Sequence, residues 1–83
     1  MIVSILSPER EIYKGQVKSV KVPGSAGAFE ILENHAAIVS SLKSGVIRLV
    51  EESGSQKQFE INSGFVEVLR NEVSLLVSGV KEL

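Results

Sequence analysis

The side chains with catalytic or ligating potential crowd into one stretch, Val22 to His35. It holds the chain's single histidine, His35, together with Glu30 and Glu33. One imidazole and two carboxylates fall short of the three or four well-placed ligands that zinc requires, so no metal site is expected. With no cysteine and no aspartate in the chain, thiolate chemistry and a Ser-His-Asp relay are both excluded. Acid-base work by Glu30 and Glu33 would need a pocket, and the short loops show no insertion that could build one. Gly24-Ser25-Ala26-Gly27 superficially resembles a phosphate loop. It lacks the closing Gly-Lys-Ser/Thr, and Ala28-Phe29-Glu30 leads into a strand instead of a helix whose amides could meet a phosphate. The expected chemistry is therefore that of a shaped turn, with no catalytic residue and no cofactor.

The elements that must hold this stretch are short. Turn-forming pairs recur at Ser7-Pro8, Lys14-Gly15, Pro23-Gly24, Glu33-Asn34, Ser44-Gly45, Ser53-Gly54, Ser63-Gly64, Arg70-Asn71 and Ser78-Gly79. A spacing of about ten residues is that of an all-β sandwich or barrel. The segments between are rich in Val and Ile, whose branched Cβ atoms suit a pleated sheet. Phe59 and Ile61 alternate with polar neighbours, as do Val73, Leu75 and Val77. Phe65, Leu69, Leu76 and the run Val46 to Val50 place further apolar residues on the second face. Such strands are either sandwiched internally or show that face to a partner. Arg70-Asn71 suits a two-residue hairpin needing positive φ. Glu51 to Gln56 reads as a longer hairpin tip, and Lys18 and Lys21 as charges guarding an edge strand.

All 83 residues are read as a single domain, which buries only about 60–65% of its unfolded surface. The net charge of −1, with nine basic residues scattered along the chain, argues against a nucleic-acid partner. No apolar run reaches the roughly 18–20 residues of a membrane-spanning helix. Met1 to Pro8 lacks the basic and apolar regions of a secretory signal and reads as a first strand, so an intracellular protein is expected.

The motifs then align with a known family. Ser7-Pro8-Glu9, Ile12-Tyr13-Lys14-Gly15, Val20 to Gly27, Ile31 to Ala36, Leu42 to Gly45, Ser63 to Val68 and Asn71 to Leu76 occur in one order across nearly the whole chain. In that order and spacing the sequence resembles the epsilon subunit of the F-type ATP synthase. The resemblance implies a flattened β-sandwich of short, mostly antiparallel strands. It also implies a non-catalytic rotor subunit that grips the gamma subunit and rests on the c-subunit ring, passing torque between proton-driven rotation and the catalytic head. Such a subunit lies at the cytoplasmic face of the inner membrane, peripheral to it and without lipid insertion.

By the same resemblance, Ile12, Tyr13, His35, Ile38, Ser40 and Leu42 face gamma. Ala28, Phe29, Glu30, Glu33 and Asn34 form a loop toward the ring, while Pro23, Gly24, Gly27, Gly45 and Gly64 make structural turns. Three departures stand out. Ala28 replaces a frequent Glu and Glu33-Asn34 a frequent Pro-Gly, which shifts polar ring contacts to Glu30 and Glu33; Ser63 stands in a usual Gly position. The chain also stops before the family's C-terminal helical hairpin, so regulation through that hairpin is not expected. The alternative is a free-standing β-sandwich ligand-binding module, disfavoured by the lack of Trp and by only four Phe and Tyr. A small hydrolase using Glu30 or His35 ranks below it.

Overall fold

The computed structural model describes residues 1–83 and contains nine strands and no helix. They are β1 (Ile2–Leu6), β2 (Glu11–Val22), β3 (Phe29–Leu32), β4 (Ile38–Leu42), β5 (Gly45–Glu51), β6 (Gln56–Ile61), β7 (Ser63–Leu69), β8 (Glu72–Ser78) and β9 (Lys81–Glu82). One continuous ladder runs β4-β7-β8-β1-β2-β5-β6-β9, with β3 paired to β2. It folds into two layers. The first is β4-β7-β8-β1 with the start of β2, and the second is β3, the end of β2, β5, β6 and β9. Every pairing is antiparallel except β1 with β8. The expected sandwich is the one observed.

β2 belongs to both layers. Its first residues pair with β1, whereas Val17 to Lys21 pair with β5 and Ser19 to Val22 with β3. The change of layer falls between Gln16, which still pairs with β1, and Val17, which pairs with β5; Lys18 follows as the extra residue between Val17↔Glu51 and Ser19↔Val50. An unpaired residue of this kind bends a strand and raises its twist. It also moves the buried positions from Val17 to Val20 and Val22. Lys18 and Lys21 thus correct one expectation: their strand is central, paired on both sides, and Lys18 marks a bulge. Lys14-Gly15 also fails as a break, because β2 runs straight through it. The Tyr13 ring lies over Gly15, where any Cβ would come within 2.6 Å of the Tyr13 hydroxyl.

A single core of 17 buried apolar residues joins the layers. Val3, Ile5, Val66, Val73 and Leu75 come from the first, and Val20, Ile31, Ile47, Leu49, Phe59 and Ile61 from the second. The connections follow the expected turn chemistry. Arg70 and Asn71 both take positive φ, at 51° and 63°, the pattern of a two-residue hairpin with the twist of its strands. Gly54, at φ 94°, closes the β5–β6 tip.

Candidate partner-binding surface

Pro23, Gly24 and Gly27 do build a turn, although φ alone does not explain them. The Gly27 amide donates to the Gly24 carbonyl at 2.9 Å, and Gly27 has φ 139°. Gly24 is required by space: a Cβ there would sit 2.6 Å from the Gly27 carbonyl oxygen. Gly45 and Gly64 correct the turn assignment, since both lie within strands. A Cβ on Gly45 would meet Pro23 Cβ at 2.7 Å, and one on Gly64 the Leu76 carbonyl oxygen at 2.5 Å. The turn also straps the layers together. The Ser25 amide donates to the Ser41 carbonyl and the Lys43 amide to the Pro23 carbonyl, each at 2.9 Å.

Ala28, Phe29, Glu30, Glu33 and Asn34 do not form one loop. Phe29–Leu32 is strand β3 on the rim of the second layer, with Ala28 at one end and Glu33-Asn34 at the other. Glu30 is exposed, while Phe29 packs against the core. The far end is held by a polar network. The Met1 ammonium donates to Glu33 Oε1, and Asn71 Nδ2 donates to Glu33 Oε2 at 3.1 Å. The Asn34 amide donates to Asn71 Oδ1 at 2.8 Å. The ammonium first, and Asn71 second, hold the Glu33 carboxyl below its ordinary range. His35 caps the turn, its amide donating to the Leu32 carbonyl at 3.1 Å, with its ring Nδ1 2.7 Å from the Ala36 carbonyl oxygen.

The β4 candidates point inward. Ile38 pairs with Val68, Ser40 with Val66 and Leu42 with Gly64, so all three share the core side of that strand. Leu42 is only 4% exposed and therefore presents nothing to a partner. Leu42→Ala is expected to lower folding stability by about 2–5 kcal/mol in a denaturant titration, because truncation leaves a cavity in a closed core. The outward residues of β4 are Val39 and Ser41. A shift of one residue along a strand exchanges its two faces, and this accounts for the whole correction.

Ile12 and Tyr13 are also tied to the interior. Ile12 is the extra residue between Ile5↔Tyr13 and Leu6↔Glu11, and both side chains pack on the core. The Tyr13 ring lies 5.9 Å from that of Phe59, and its hydroxyl donates to Glu51 Oε2 at 2.5 Å. Burial, and then the Glu51 carboxylate, push the Tyr13 hydroxyl up from 10.0 to about 12. A raised value stabilises the fold fully below the unfolded pKa, and the contribution is lost as pH climbs through the folded one. The wild-type denaturation midpoint is therefore expected to fall between about pH 10 and 12 more steeply than that of Tyr13→Phe.

What the first layer does show outward is an apolar row. Phe65 pairs with Leu76 on one side and Ser41 on the other, and Leu76 pairs with Leu6. Val39 is 70% exposed, Phe65 58% and Leu76 53%, with Leu69 and Ile2 further along the same face. At one end the row opens into a trough of ≈570 Å³ lined by Leu6, Pro8, Gly64, Phe65 and Leu76 among others. Alternation already marks Phe65, Leu69 and Leu76 as second-face residues. Only the register across four strands joins them to Val39 and Leu6. The second layer's outer face is mostly polar, carrying Ser19, Lys21, Glu30, Arg48 and Gln58, with Leu32, Val46 and Val50 between them.

The fold is thus a β-sandwich whose layers share one strand, with an apolar outer face on the first layer and its polar loop residues engaged in turns. The chain belongs to the family described as the ATP synthase, delta/epsilon chain, beta-sandwich domain, whose model matches residues 1–82. It is similar to the ATP synthase epsilon chain of Leptospira borgpetersenii, at 46% identity over 74 residues, covering 89% of this chain and 58% of that relative. The ATP synthase epsilon chain of Nitratiruptor is 41% identical over 81 residues, covering 98% of this chain and 63% of the relative. The chain thus spans about 58–63% of the length of these relatives. Its fold matches a chain in the cryo-EM structure of the Euglena gracilis mitochondrial ATP synthase, OSCP/F1/c-ring, with a TM-score of 0.92 at 21% identity, covering 99% of this chain and 52% of that one. A chain in the Tetrahymena thermophila mitochondrial ATP synthase central stalk/c-ring structure gives 0.82 at 17% identity, covering 98% of this chain and 65% of that one.

Proposed function

We propose that this chain is the β-sandwich part of a non-catalytic rotor subunit of an F-type ATP synthase. In this reading it binds the gamma subunit and the c-subunit ring, and it carries torque between proton-driven rotation and the catalytic head. Family membership supports the assembly, and one observation supports the mode of binding: Leu76, Phe65 and Val39 lie open to solvent in a row beside the half-buried Leu6. Contiguous exposed apolar residues beside a trough are what a partner's buried anchor side chains require. We assign this face to gamma, in place of the inward-facing Ile38, Ser40 and Leu42. His35 stays at the corner beside it.

The rim strand β3, with Ala28, Glu30, Glu33 and Asn34, is assigned to the ring. The chain would then sit as a peripheral component on the cytoplasmic side of the membrane, and no helix is long and apolar enough to cross one. The test is affinity purification of a tagged chain from its own cells, with the retained proteins identified. Recovery of gamma and ring subunits is the expected result. Recovery of the tagged chain alone would end the rotor reading in favour of a free-standing module.

A further inference from the structure

The mostly polar outer face of the second layer holds an arrangement that the fold does not need. Lys21 on β2 and Arg48 on β5 are paired directly across the sheet, and both are exposed. Like charges set opposite one another on a sheet repel and weaken it. Neither side chain has a carboxylate partner in the protein, whose two ion pairs are Met1–Glu33 and Lys57–Glu82. The two cations border a shallow depression of ≈220 Å³ that also takes in Ser19, Gln56, Lys57 and Gln58, with Glu30 as its one carboxylate. The depression is therefore rich in hydrogen-bond donors, and neither Lys21 nor Arg48 is ion-paired within the chain.

We propose that Lys21 and Arg48 receive a single carboxylate, an aspartate or glutamate on the partner subunit that meets the β3 rim; this rests on the rotor reading above. A guanidinium offers a planar fork to a carboxylate, and the neighbouring ammonium adds a second point of contact. The position fits, because Lys21 is the cross-strand partner of Glu30 on β3. A single carboxylate is favoured over an anionic membrane by the number of cations. Lys21, Arg48 and Lys81 lie exposed on this face together with Glu30 and Glu60, and the whole chain carries a net charge of −1. Charge-driven attachment to an anionic membrane takes clusters of roughly four to eight basic residues, whereas one carboxylate needs only the pair Lys21 and Arg48.

Two measurements on the assembled complex test the proposal. Carbodiimide joins an amine to a touching carboxylate, so mass spectrometry is expected to find Lys21 joined to an acidic residue of another subunit. Arg48→Gln is expected to weaken assembly at least about tenfold, the lower end for losing a close charge pair at an interface. It should also leave the thermal midpoint of the isolated chain unchanged or higher, because it removes a repulsion. A lowered midpoint would mark Arg48 as merely structural and overturn the proposal, as would Lys21 joined only to Glu30. Arg48-dependent binding to phosphatidylglycerol vesicles would overturn it in favour of a lipid surface. Should Arg48→Gln assemble normally while an acidic residue in the apolar row abolishes assembly, this inference fails and the rotor reading stands. Should neither substitution matter, the rotor reading itself fails.

Discussion

Phe59→Ala is expected to remove a large part of the folding stability of the isolated chain. Phe59 is 1% exposed and lies on β6, packed against Tyr13 from the other layer. Removing a buried phenyl ring costs about 3–5 kcal/mol. A chain of 83 residues has only roughly 4–12 kcal/mol in total, at about 0.05–0.15 kcal/mol per residue. Tyr13 would also lose the ring it tilts against, and with it the brace between the start of β2 and β6. Phe65→Ala is the matched control. That ring is 58% exposed, and its truncation should move stability by no more than about 0.5 kcal/mol. Circular dichroism during urea titration of both variants checks the pair. A larger loss for Phe65→Ala than for Phe59→Ala would mean that the two faces are the wrong way round.

Leu76→Glu is expected to do the opposite, keeping the fold and losing the partner. Leu76 is 53% exposed in the middle of the apolar row, between Phe65 and Leu6. In water a glutamate there costs the fold little, since the position is already open. In a complex the same carboxylate would be buried among apolar groups with no donor to meet it, a penalty that typically reaches several kcal/mol. Affinity for purified gamma subunit should therefore drop at least roughly 30-fold, the weakening that corresponds to a hot-spot loss of about 2 kcal/mol. Titration calorimetry with the two purified subunits reads this directly. An unchanged affinity, with the fold intact, would show that gamma binds elsewhere.

The strands that carry Phe59 and Leu76 are also the most legible in the amino-acid order. Alternation around Phe59 and Leu75 identifies the core side of β6 and β8, because a side-chain period of two is carried by the local chain itself. The Arg70-Asn71 hairpin is equally local, resting on the positive φ that Asn tolerates. β4 defeats the same logic. Its residues, Ile38-Val39-Ser40-Ser41-Leu42, put an apolar side chain on each face and small hydroxyls between, so local pattern cannot tell in from out. The pairing with β7 decides it. β2 misleads for a different reason: Gly15 reads as a break unless one knows that Tyr13 covers it.

The strand within Ala28 to Asn34 is legible after Gly27, but its extent is not, because only Ile31 on it is fully buried. Its polar neighbours give it the look of a connection. The Lys21–Arg48 pair is beyond reach in principle, since nothing in the chain order indicates that those residues are adjacent. The family resemblance supplies the fold and the assembly, yet at β4 it selects the inner side of the strand. Resemblance transfers positions along a chain, while a surface depends on which way each position points.

The sharing of β2 between the layers has a mechanical consequence. Two sheets held only by side-chain packing can slide over one another, since dispersion contacts offer little resistance to shear. Here the same covalent backbone leaves β1 at Gln16 and enters the ladder with β5 at Val17. A twist applied to the apolar face must therefore pass along that backbone into the opposite layer. The strap between Pro23 and Lys43 closes a second route at the far side. Under load the two layers are therefore expected to move together, joined by backbone on one side and by hydrogen bonds on the other.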